Sequence, residues 1–301
     1  MKKKHLIVIA GPTASGKTAT AIKVAKAFDT VIISADSRQF YKELSIGTAA
    51  PTEEELSEVK HYFVHNFSIE QSYDVADYEQ DALRLLNELF KRNDVVVMTG
   101  GSGLFIDAVC NGLDLIPDIS VETRNKVNEI YEKGGLAALQ TEVEKADPEY
   151  FKIVDRQNPR RLQRAIEVFL QTGKPYSTFR KNKHVDRDFN VIKTALLWDR
   201  DELIKRINKR VDNMMESGLL DEVKSVYGRR HLNSLNTVGY KELFEYLDGK
   251  AILEQAVEQV KINTRQYAKR QMTWLRKNTE YHWFSIDEYD KMLEFIKEQL
   301  A

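Results

Sequence analysis

The motif with the clearest chemistry is Gly-Pro-Thr-Ala-Ser-Gly-Lys-Thr at residues 11–18, which fits G-x-x-x-x-G-K-[ST]. Glycines in such a loop let backbone N–H groups converge on a polyphosphate, and a following helix adds a partial positive charge. The motif predicts that Lys17 reaches phosphate oxygens and that Thr18 is a ligand of Mg²⁺. It does not distinguish ATP from a diphosphate ester of a small alcohol. The predicted phosphate-binding residues are Gly11, Pro12, Thr13, Ala14, Ser15, Gly16, Lys17 and Thr18.

A carboxylate follows the second apolar run of the chain, residues 31–35 (VIISA), at Asp36. In a parallel sheet the carboxyl ends of strands face the ligand crevice, so Asp36 is expected near the phosphate loop. There it could act as a general base or hold a magnesium-bound water, although Asp also commonly caps helices and turns. Ser37, Arg38 and Gln39 continue along this edge. Gln39 could read an adenine edge, or Arg38 and Gln39 could lie in a solvated loop.

A third apolar run ends in Thr-Gly-Gly-Ser-Gly at residues 99–103. Paired glycines permit close approach of the backbone. Phosphate-loop nucleoside triphosphatases commonly place an acid near such a strand end, and none stands here. Its absence argues against simple ATP hydrolysis.

Basic residues cluster in two segments. Arg160, Arg161 and Arg164 lie near the start of a predicted helix over 159–171, where the helix dipole favours anions. Residues 259–279 contain six Lys or Arg and no acid. Both segments favour an anionic partner such as RNA, and solvated faces are the alternative. Within 259–279, Tyr267 and Trp274 are interpreted as core anchors.

One further pair of arginines, Arg206 and Arg210, lies one helical turn apart. One of the two could reach a phosphate from the side opposite the phosphate loop.

These residues require an α/β core to position them. Apolar runs at 6–10, 31–34, 95–98 and 190–198 predict buried parallel strands that alternate with helices. We therefore predict a P-loop NTPase-like parallel sheet with flanking helices, formed by residues 1–114 and 189–301. Residues 115–188 are predicted to be a helical insertion domain that contacts RNA, and 201–301 are predicted to be mainly helical. In the insertion, an apolar stripe of Leu162, Ile166, Phe169 and Leu170 marks the buried face of one helix.

Composition narrows the functional classes. The 301 residues carry a net charge of −1, so nucleic-acid binding must rest on local patches. Cys110 is the only cysteine, which excludes an intramolecular disulfide and a Cys-rich zinc site and suits the cytoplasm. His61 and His65 are spaced i, i+4 without a third metal ligand nearby. No stretch approaches the length of a membrane span.

The chain resembles the tRNA dimethylallyltransferase family along nearly its whole length. The matching segments are GPTASGKT at 11–18, DSRQFYKELSIGT at 36–48, TGGSGLFIDAV at 99–109, NPRRLQRAIEVFLQTGKP at 158–175, RINKRVDNMMESGLLDEV at 206–223, VGYKE at 238–242 and TRQYAKRQMTWLR at 264–276. The phosphate loop occurs in many enzymes, whereas the other segments in this order are far more specific.

The resemblance implies a reaction and a set of roles. A dimethylallyl group passes from dimethylallyl diphosphate to the exocyclic N6 amine of the adenosine just 3′ of the anticodon. Asp36 would accept the amine proton, and Thr13 and Arg210 would act at the diphosphate and the reaction centre. The implied partners are the tRNA anticodon stem-loop and Mg²⁺, and the chain is expected to act as a monomer. The implied tRNA contacts are Asp36, Ser37, Arg38, Gln39, Ser102, Arg124, Arg160, Arg161, Leu162, Gln163 and Arg164.

The chain departs from the family pattern in a few places. Ser102 stands where the family usually has Thr, Phe105 stands where it has Tyr, and residues 61–65 match a His-rich family stretch only loosely. A small-molecule kinase of the same fold and a non-catalytic RNA-binding switch are the alternatives to this assignment. A related activity on free adenine nucleotides is disfavoured by the basic segment 259–279.

Overall fold

The computed structural model describes residues 3–181 and 185–301. Its strands form one six-stranded sheet in the order β3-β2-β4-β1-β5-β6, and every pairing is parallel. The strands are β1 (His5–Ala10), β2 (Ile32–Ser34), β3 (His61–Tyr62), β4 (Val95–Gly100), β5 (Asn190–Leu197) and β6 (His282–Ser285). The central position of β1 places the phosphate loop, which follows it, in the middle of the carboxyl edge of the sheet.

Alternation along β1 explains why both faces of the sheet are covered. Leu6 and Val8 face one apolar core, whereas Ile7 and Ile9 face the other, and all four are fully buried. Successive side chains of a strand point to opposite faces, so a continuous apolar run needs helices on both sides. Burying such a side chain contributes about 1.5–3 kcal/mol.

Helices alternate with these strands along the chain. They are α1 (Lys17–Ala27), α2 (Glu53–Glu58), α3 (Val75–Leu89), α4 (Gly103–Asn111), α5 (Val121–Ala146), α6 (Pro148–Ile153), α7 (Pro159–Thr172), α8 (Arg200–Glu216), α9 (Leu219–Val226), α10 (Tyr240–Leu247), α11 (Leu253–Lys277) and α12 (Tyr289–Leu300). Helices α1 and α12 pack on one face of the sheet, and α3, α4 and α11 contribute to the core on the other. Within the described residues, no helix is long and apolar enough to cross a membrane.

The chain divides into two compact units, residues 1–110 with 186–301 and residues 111–185, close to the predicted limits of 115 and 188. The second unit is helical, as expected, and has its own apolar core, which includes Val127, Leu139 and Ile166. Its buried Asp147 caps α6 through the Tyr150 amide and also accepts hydrogen bonds from the Ser177 amide and hydroxyl. These bonds satisfy a carboxylate that would otherwise be costly to bury.

Several predicted elements are confirmed. Helix α7 begins after Asn158, whose side chain accepts from the Arg161 amide, and it ends at Gly173 in the left-handed region. Within the helical insertion, helix α5 breaks at Gly135, where φ is 61°. Leu170 was wrongly assigned to the buried stripe, because 48% of it is exposed.

Other elements were not predicted. Strands β3 and β6 are edge strands of two and four residues without fully buried positions, so they lack the apolar run that marked the inner strands. The short helices α2 and α6 and the nine-residue α4 were also missed. Short elements depend mainly on tertiary contacts rather than on a readable periodicity.

Candidate active site

The phosphate loop turns from β1 into α1 through backbone conformations that favour an anion. Gly16 lies in the left-handed region at φ 87°, and Ala14 adopts φ 63°. The amino end of α1 has no side-chain cap and no acidic residue in its first turn. Its free N–H groups and positive dipole end are therefore available to a bound phosphate group. The confirmed strand–loop–helix context is the one that the motif requires.

Three side chains from other elements hold this loop in place. Trp198 Nε1 donates to the Ser15 carbonyl at 2.9 Å, and Arg206 Nε donates to the Ala14 carbonyl at 2.9 Å. Arg206 also stacks over the Trp198 ring. Gln271 Oε1 accepts from the Thr13 amide at 2.8 Å. Arg206 therefore supports the phosphate loop. Of the two arginines that lie one helical turn apart, Arg210 is the one that borders the cavity and could contact a phosphate.

Two cations, Lys17 and Arg210, face the cavity. Lys17 Nζ donates to the Pro12 carbonyl at 2.8 Å, and Arg210 Nη2 lies 3.4 Å from the Thr48 carbonyl. Burial is the main cause that lowers the pKa of Lys17 to about 8, and the positive charge of Arg210 adds to it. Burial also lowers the pKa of Arg210, and the negative charge of Asp36 partly offsets this decrease. Among the described side chains, no carboxylate forms an ion pair with either residue, so a bound polyphosphate would relieve both.

Asp36 lies at the end of β2, as predicted, and borders the same cavity. Its Oδ1 accepts from the Arg38 amide at 3.1 Å, which orients the carboxylate. The neighbouring Ser37 amide donates to Ser102 Oγ at 3.0 Å, and Ser102 Oγ donates to Ser37 Oγ at 3.2 Å. The loops after β2 and β4 therefore meet through Ser37 and Ser102.

Arg38 and Gln39 have contacts that correct the interpretation from sequence. Arg38 donates from Nη1 to the carbonyl of Ser234 at 2.9 Å, so it anchors its loop to the segment before α10. Gln39 Nε2 donates to the Ala49 carbonyl at 3.1 Å, and Gln39 Oε1 accepts from Ser34 Oγ at 3.2 Å. Both ends of the Gln39 amide therefore have partners inside the protein, and both residues border the cavity.

A loop that the sequence reasoning did not assign forms another wall. Residues 47–49 border the cavity, and Glu222 of α9 holds this loop. Its carboxylate accepts from the amides of Ser45, Ile46 and Gly47 at 2.7–2.9 Å and from the Tyr240 hydroxyl at 2.6 Å. The residues of this contact lie in SIGT and LLDEV, two segments that match the family. The sequence alone does not show that the two segments contact each other.

Helix α11 contributes the remaining wall. Tyr267, interpreted from sequence as a core anchor, lines the cavity instead. Burial raises the pKa of its phenol to about 12, and the negative charge of Asp36 acts in the same direction. Trp274 does pack inside as predicted, since its Nε1 donates to Asp107 Oδ2 and its ring leaves no space for a Cβ at Gly103.

The basic segment 259–279 is partly neutralised. Lys261 forms an ion pair with Asp212 at 2.6 Å. Arg265 contacts Glu258 at 3.2 Å and donates to Asn208 Oδ1 at 2.7 Å. Lys261 and Arg265 therefore bind Asp212 and Asn208 of α8 and fix α11 to that helix, so they are less available to RNA than the sequence indicated.

The insertion carries the other predicted contacts. Arg124 on α5 and Arg160 and Arg161 on α7 are exposed, and Arg164 is half-buried beside Glu167. Leu162 is fully buried in the core of the insertion, so its side chain does not belong to this surface and its assignment as a tRNA contact is corrected.

Gln163 connects the two helices that bear these arginines. Its Nε2 donates to Asn128 Oδ1 at 3.2 Å, one turn along α5 from Arg124. The insertion therefore presents a basic face formed by the first turns of α5 and α7.

Neither histidine of the 61–65 stretch faces the cavity. His61 Nδ1 contacts the Val59 carbonyl at 2.8 Å, and His65 Nε2 contacts Ser45 Oγ at 3.2 Å. Burial lowers the pKa of both. His65 helps to hold the loop that Glu222 anchors.

The cavity as a whole has a volume of about 250 Å³ and lies within the first unit. One part is formed by the phosphate loop and the polar residues described above, and another by apolar side chains. The apolar lining consists of Val211, Met214, Leu219, Val238 and Val260. A ligand with a diphosphate head and a short hydrocarbon tail matches this division.

Comparisons with known proteins agree with this geometry. The family model described as IPP transferase matches residues 39–278. A protein of Bacteroides thetaiotaomicron named tRNA dimethylallyltransferase 1 is 49% identical over 294 residues, covering 98% of this chain and 96% of the relative. A tRNA dimethylallyltransferase of Christiangramia forsetii is 48% identical and covers 98% of both chains.

Solved structures give the same result. The full-length tRNA isopentenylpyrophosphate transferase of Bacillus halodurans is 36% identical, with a TM-score of 0.73 and coverage of 99% of this chain and 97% of that one. A eukaryotic dimethylallyltransferase, described as acting on tRNA, is 25% identical with a TM-score of 0.76 and coverage of 94% and 74%. The chain belongs to the IPP transferase family.

Proposed function

We infer that this chain is a tRNA dimethylallyltransferase. It transfers a dimethylallyl group from dimethylallyl diphosphate to the N6 amine of the adenosine 3′-adjacent to the anticodon and releases diphosphate. Full-length similarity to tRNA dimethylallyltransferases supports the reaction. The structure adds a cavity that brings together a phosphate loop, cations, a carboxylate and an apolar wall.

The observation that carries this function is the pair of cations, Lys17 and Arg210, beside Asp36 in one cavity. A diphosphate that leaves during the reaction gains negative charge, and cations held in place before the reaction stabilise it without reorganisation. Both cations are partly buried, and electrostatic contacts in such a site are stronger than in water. Thr13 borders the same space.

Asp36 is proposed to act as the general base. The exocyclic amine of adenine is a weak nucleophile, so proton removal during attack accelerates the step. The new N6–C1 bond forms as the bond between C1 and the diphosphate oxygen breaks. The amine proton passes to the Asp36 carboxylate, and the electron pair of the broken bond leaves with the diphosphate. A closed site protects the allylic carbon from water.

Mg²⁺ is proposed to accompany the diphosphate. Thr18 lines the cavity at the first turn of α1, where its hydroxyl can serve as one ligand. Within the described residues, no group of three His, Cys, Asp or Glu could form an all-protein metal site. This arrangement fits Mg²⁺, which often takes few protein ligands together with phosphate oxygens and waters. When bound, the ion would neutralise charge on the leaving diphosphate.

The acceptor is proposed to reach Asp36 as an extruded base. A stacked base cannot enter such a cavity, and a single-stranded loop makes extrusion less costly. Ser37 and Ser102 are proposed to contact the extruded adenosine. Arg38 and Gln39 shape the loop after β2 through their contacts within the protein. In the insertion, Arg124, Arg160, Arg161, Gln163 and Arg164 are proposed to contact the tRNA backbone. The chain is proposed to act as a monomer.

The test is incorporation of radiolabelled dimethylallyl diphosphate into unmodified tRNA, with ATP consumption followed in parallel. Label in the RNA without ATP consumption is the expected result. ATP turnover with a small acceptor and no labelled RNA would instead indicate the kinase. Binding of tRNA with neither label nor turnover would indicate the RNA-binding switch.

A further inference from the structure

Gln271 is a buried amide in the middle of α11. It is 7% exposed and lies among the buried residues of this helix, which otherwise are Ala256, Val260, Ala268 and Leu275. A buried amide without partners costs about 1–3 kcal/mol, so its hydrogen bonds determine whether this position is tolerated. Neither the family resemblance nor the proposed reaction assigns Gln271 a role.

Both ends of this amide bond backbone groups of two different catalytic loops. Oε1 accepts from the Thr13 amide of the phosphate loop at 2.8 Å, and Nε2 donates to the Gly101 carbonyl at 2.9 Å. The pairing of strands β1 and β4 ends at Ala10 and Gly100, just before these two loops begin. The Gln271 amide continues the connection between them after the strand pairing ends.

The second loop is packed against the proposed base. A Cβ added at Gly101 would lie 2.3 Å from Gln271 Nε2 and 3.7 Å from Asp36 Oδ2. The next residue, Ser102, accepts from the Ser37 amide. A shift of the Gly101 backbone would therefore move the surroundings of Asp36, and a shift of the Thr13 backbone would move the donor's diphosphate.

We propose that Gln271 is a positioning residue that sets the distance between the donor loop and the Asp36 carboxylate. It does not contact the reacting atoms in this role. It acts through the Thr13 amide and the Gly101 carbonyl, which belong to the two loops that hold the reactants. The inference rests on the proposed prenyl transfer. Misplacement of reacting groups by about 1 Å can lower a rate by about 100-fold.

The test compares Gln271→Met, which keeps the length of the side chain but removes both hydrogen bonds, with the wild type. The control is Gln266→Met, an exposed position on the same helix. For Gln271→Met we expect kcat for prenyl transfer to fall about 10- to 100-fold, while the KM for the donor and the affinity for inorganic pyrophosphate change less than about threefold. Gln266→Met should retain wild-type kinetics.

Two further measurements separate positioning from folding. Gln271→Glu keeps an acceptor for the Thr13 amide but sets a carboxylate oxygen against the Gly101 carbonyl oxygen in place of the donor, so the folded variant should show a reduced kcat even if Gln271→Met does not fold. In an Asp36→Ala background, Gln271→Met should reduce the residual rate no further, because Gln271 acts through Asp36.

The outcomes are distinguishable. Wild-type kcat in Gln271→Met or in Gln271→Glu overturns the proposal. An equal loss of pyrophosphate affinity and kcat assigns Gln271 to the donor loop alone and also overturns it. A wild-type protein that does not label tRNA contradicts the proposed function instead.

Discussion

At the scale of single residues, the site depends on two partly buried cations and a carboxylate that share one cavity. Lys17 and Arg210 lack carboxylate partners among the described residues, and Asp36 is oriented by a backbone amide. A carboxylate that neutralised either cation would also compete with the diphosphate. The cost of leaving these charges unpaired is consistent with a site shaped for binding.

Substitution of Asp36→Ala should lower the rate of prenyl transfer by about 10²- to 10⁴-fold, because the amine proton then has no acceptor. Pyrophosphate affinity should persist, since the phosphate loop is unchanged. Single-turnover transfer and calorimetric titration measure the two effects. A variant with normal transfer would remove Asp36 from the mechanism.

Donor affinity should fall as the pH rises above about 8. The pKa of Lys17 is about 8, so the lysine loses its charge, and with it an attraction for the diphosphate, above that pH. Titration of a non-reacting diphosphate ester between pH 7 and pH 9.5 measures the effect. The control is Lys17→Arg, which stays charged over this range and retains any titration of the ligand itself. If affinity falls with pH in parallel in the wild type and in Lys17→Arg, titration of Lys17 is not the cause of the fall.

At the scale of elements, loops after parallel strands converge but need side chains from other helices to hold them. Trp198 and Arg206 fix the carbonyl groups of the phosphate loop. Glu222 fixes three successive amides of the 45–47 loop. The sheet supplies the common edge, and these contacts determine the shape of the cavity at that edge.

Removal of the Glu222 carboxylate should therefore affect both stability and binding. Glu222→Ala leaves three amides and the Tyr240 hydroxyl without their acceptor, which should lower the free energy of unfolding by roughly 2–5 kcal/mol. It should also raise the KM for the donor, since residues 47–49 border the cavity. Urea unfolding and steady-state kinetics measure these effects. Glu245→Ala, at an exposed acid of α10, should show neither.

At the scale of the whole molecule, a nearly neutral chain must concentrate its positive charge to bind RNA. With a net charge of −1, no long-range field attracts a polyanion. Two basic residues of α11 form ion pairs with Asp212 and Glu258. The exposed arginines at the start of α7 in the insertion are therefore the stronger candidates for phosphate contacts.

Charge reversal at these arginines tests this distribution. Arg161→Glu combined with Arg164→Glu should weaken tRNA binding at low salt and reduce the slope of log affinity against log salt by about 1 per lost phosphate contact. Pyrophosphate binding should not change. Lys133→Glu combined with Lys145→Glu, two exposed substitutions on α5 that change the net charge by the same amount, is the matched control. Unchanged tRNA binding in the double variant would indicate that these arginines form a solvated face and do not contact tRNA.

The sequence by itself determined the inner strands, the phosphate loop, the long helices and the position of Asp36. These features follow from local patterns: a continuous apolar run, a glycine-rich turn before a helix, and caps such as Asn158 and Gly173. The resemblance to a family added the reaction and the arginines of the insertion. Short elements such as β3 and β6 carried no comparable local signal.

Only the tertiary structure decided what each polar side chain contacts. Gln39 and Arg265 looked available in sequence and are occupied by partners within the protein. Tyr267 looked internal and lines the cavity, whereas Leu162 looked like part of a contact helix and is fully buried. Gln271 gained its role only because two loops from distant segments meet on either side of it. Hydrogen bonds and ion pairs across more than 100 residues depend on the packed chain, which a local pattern does not encode.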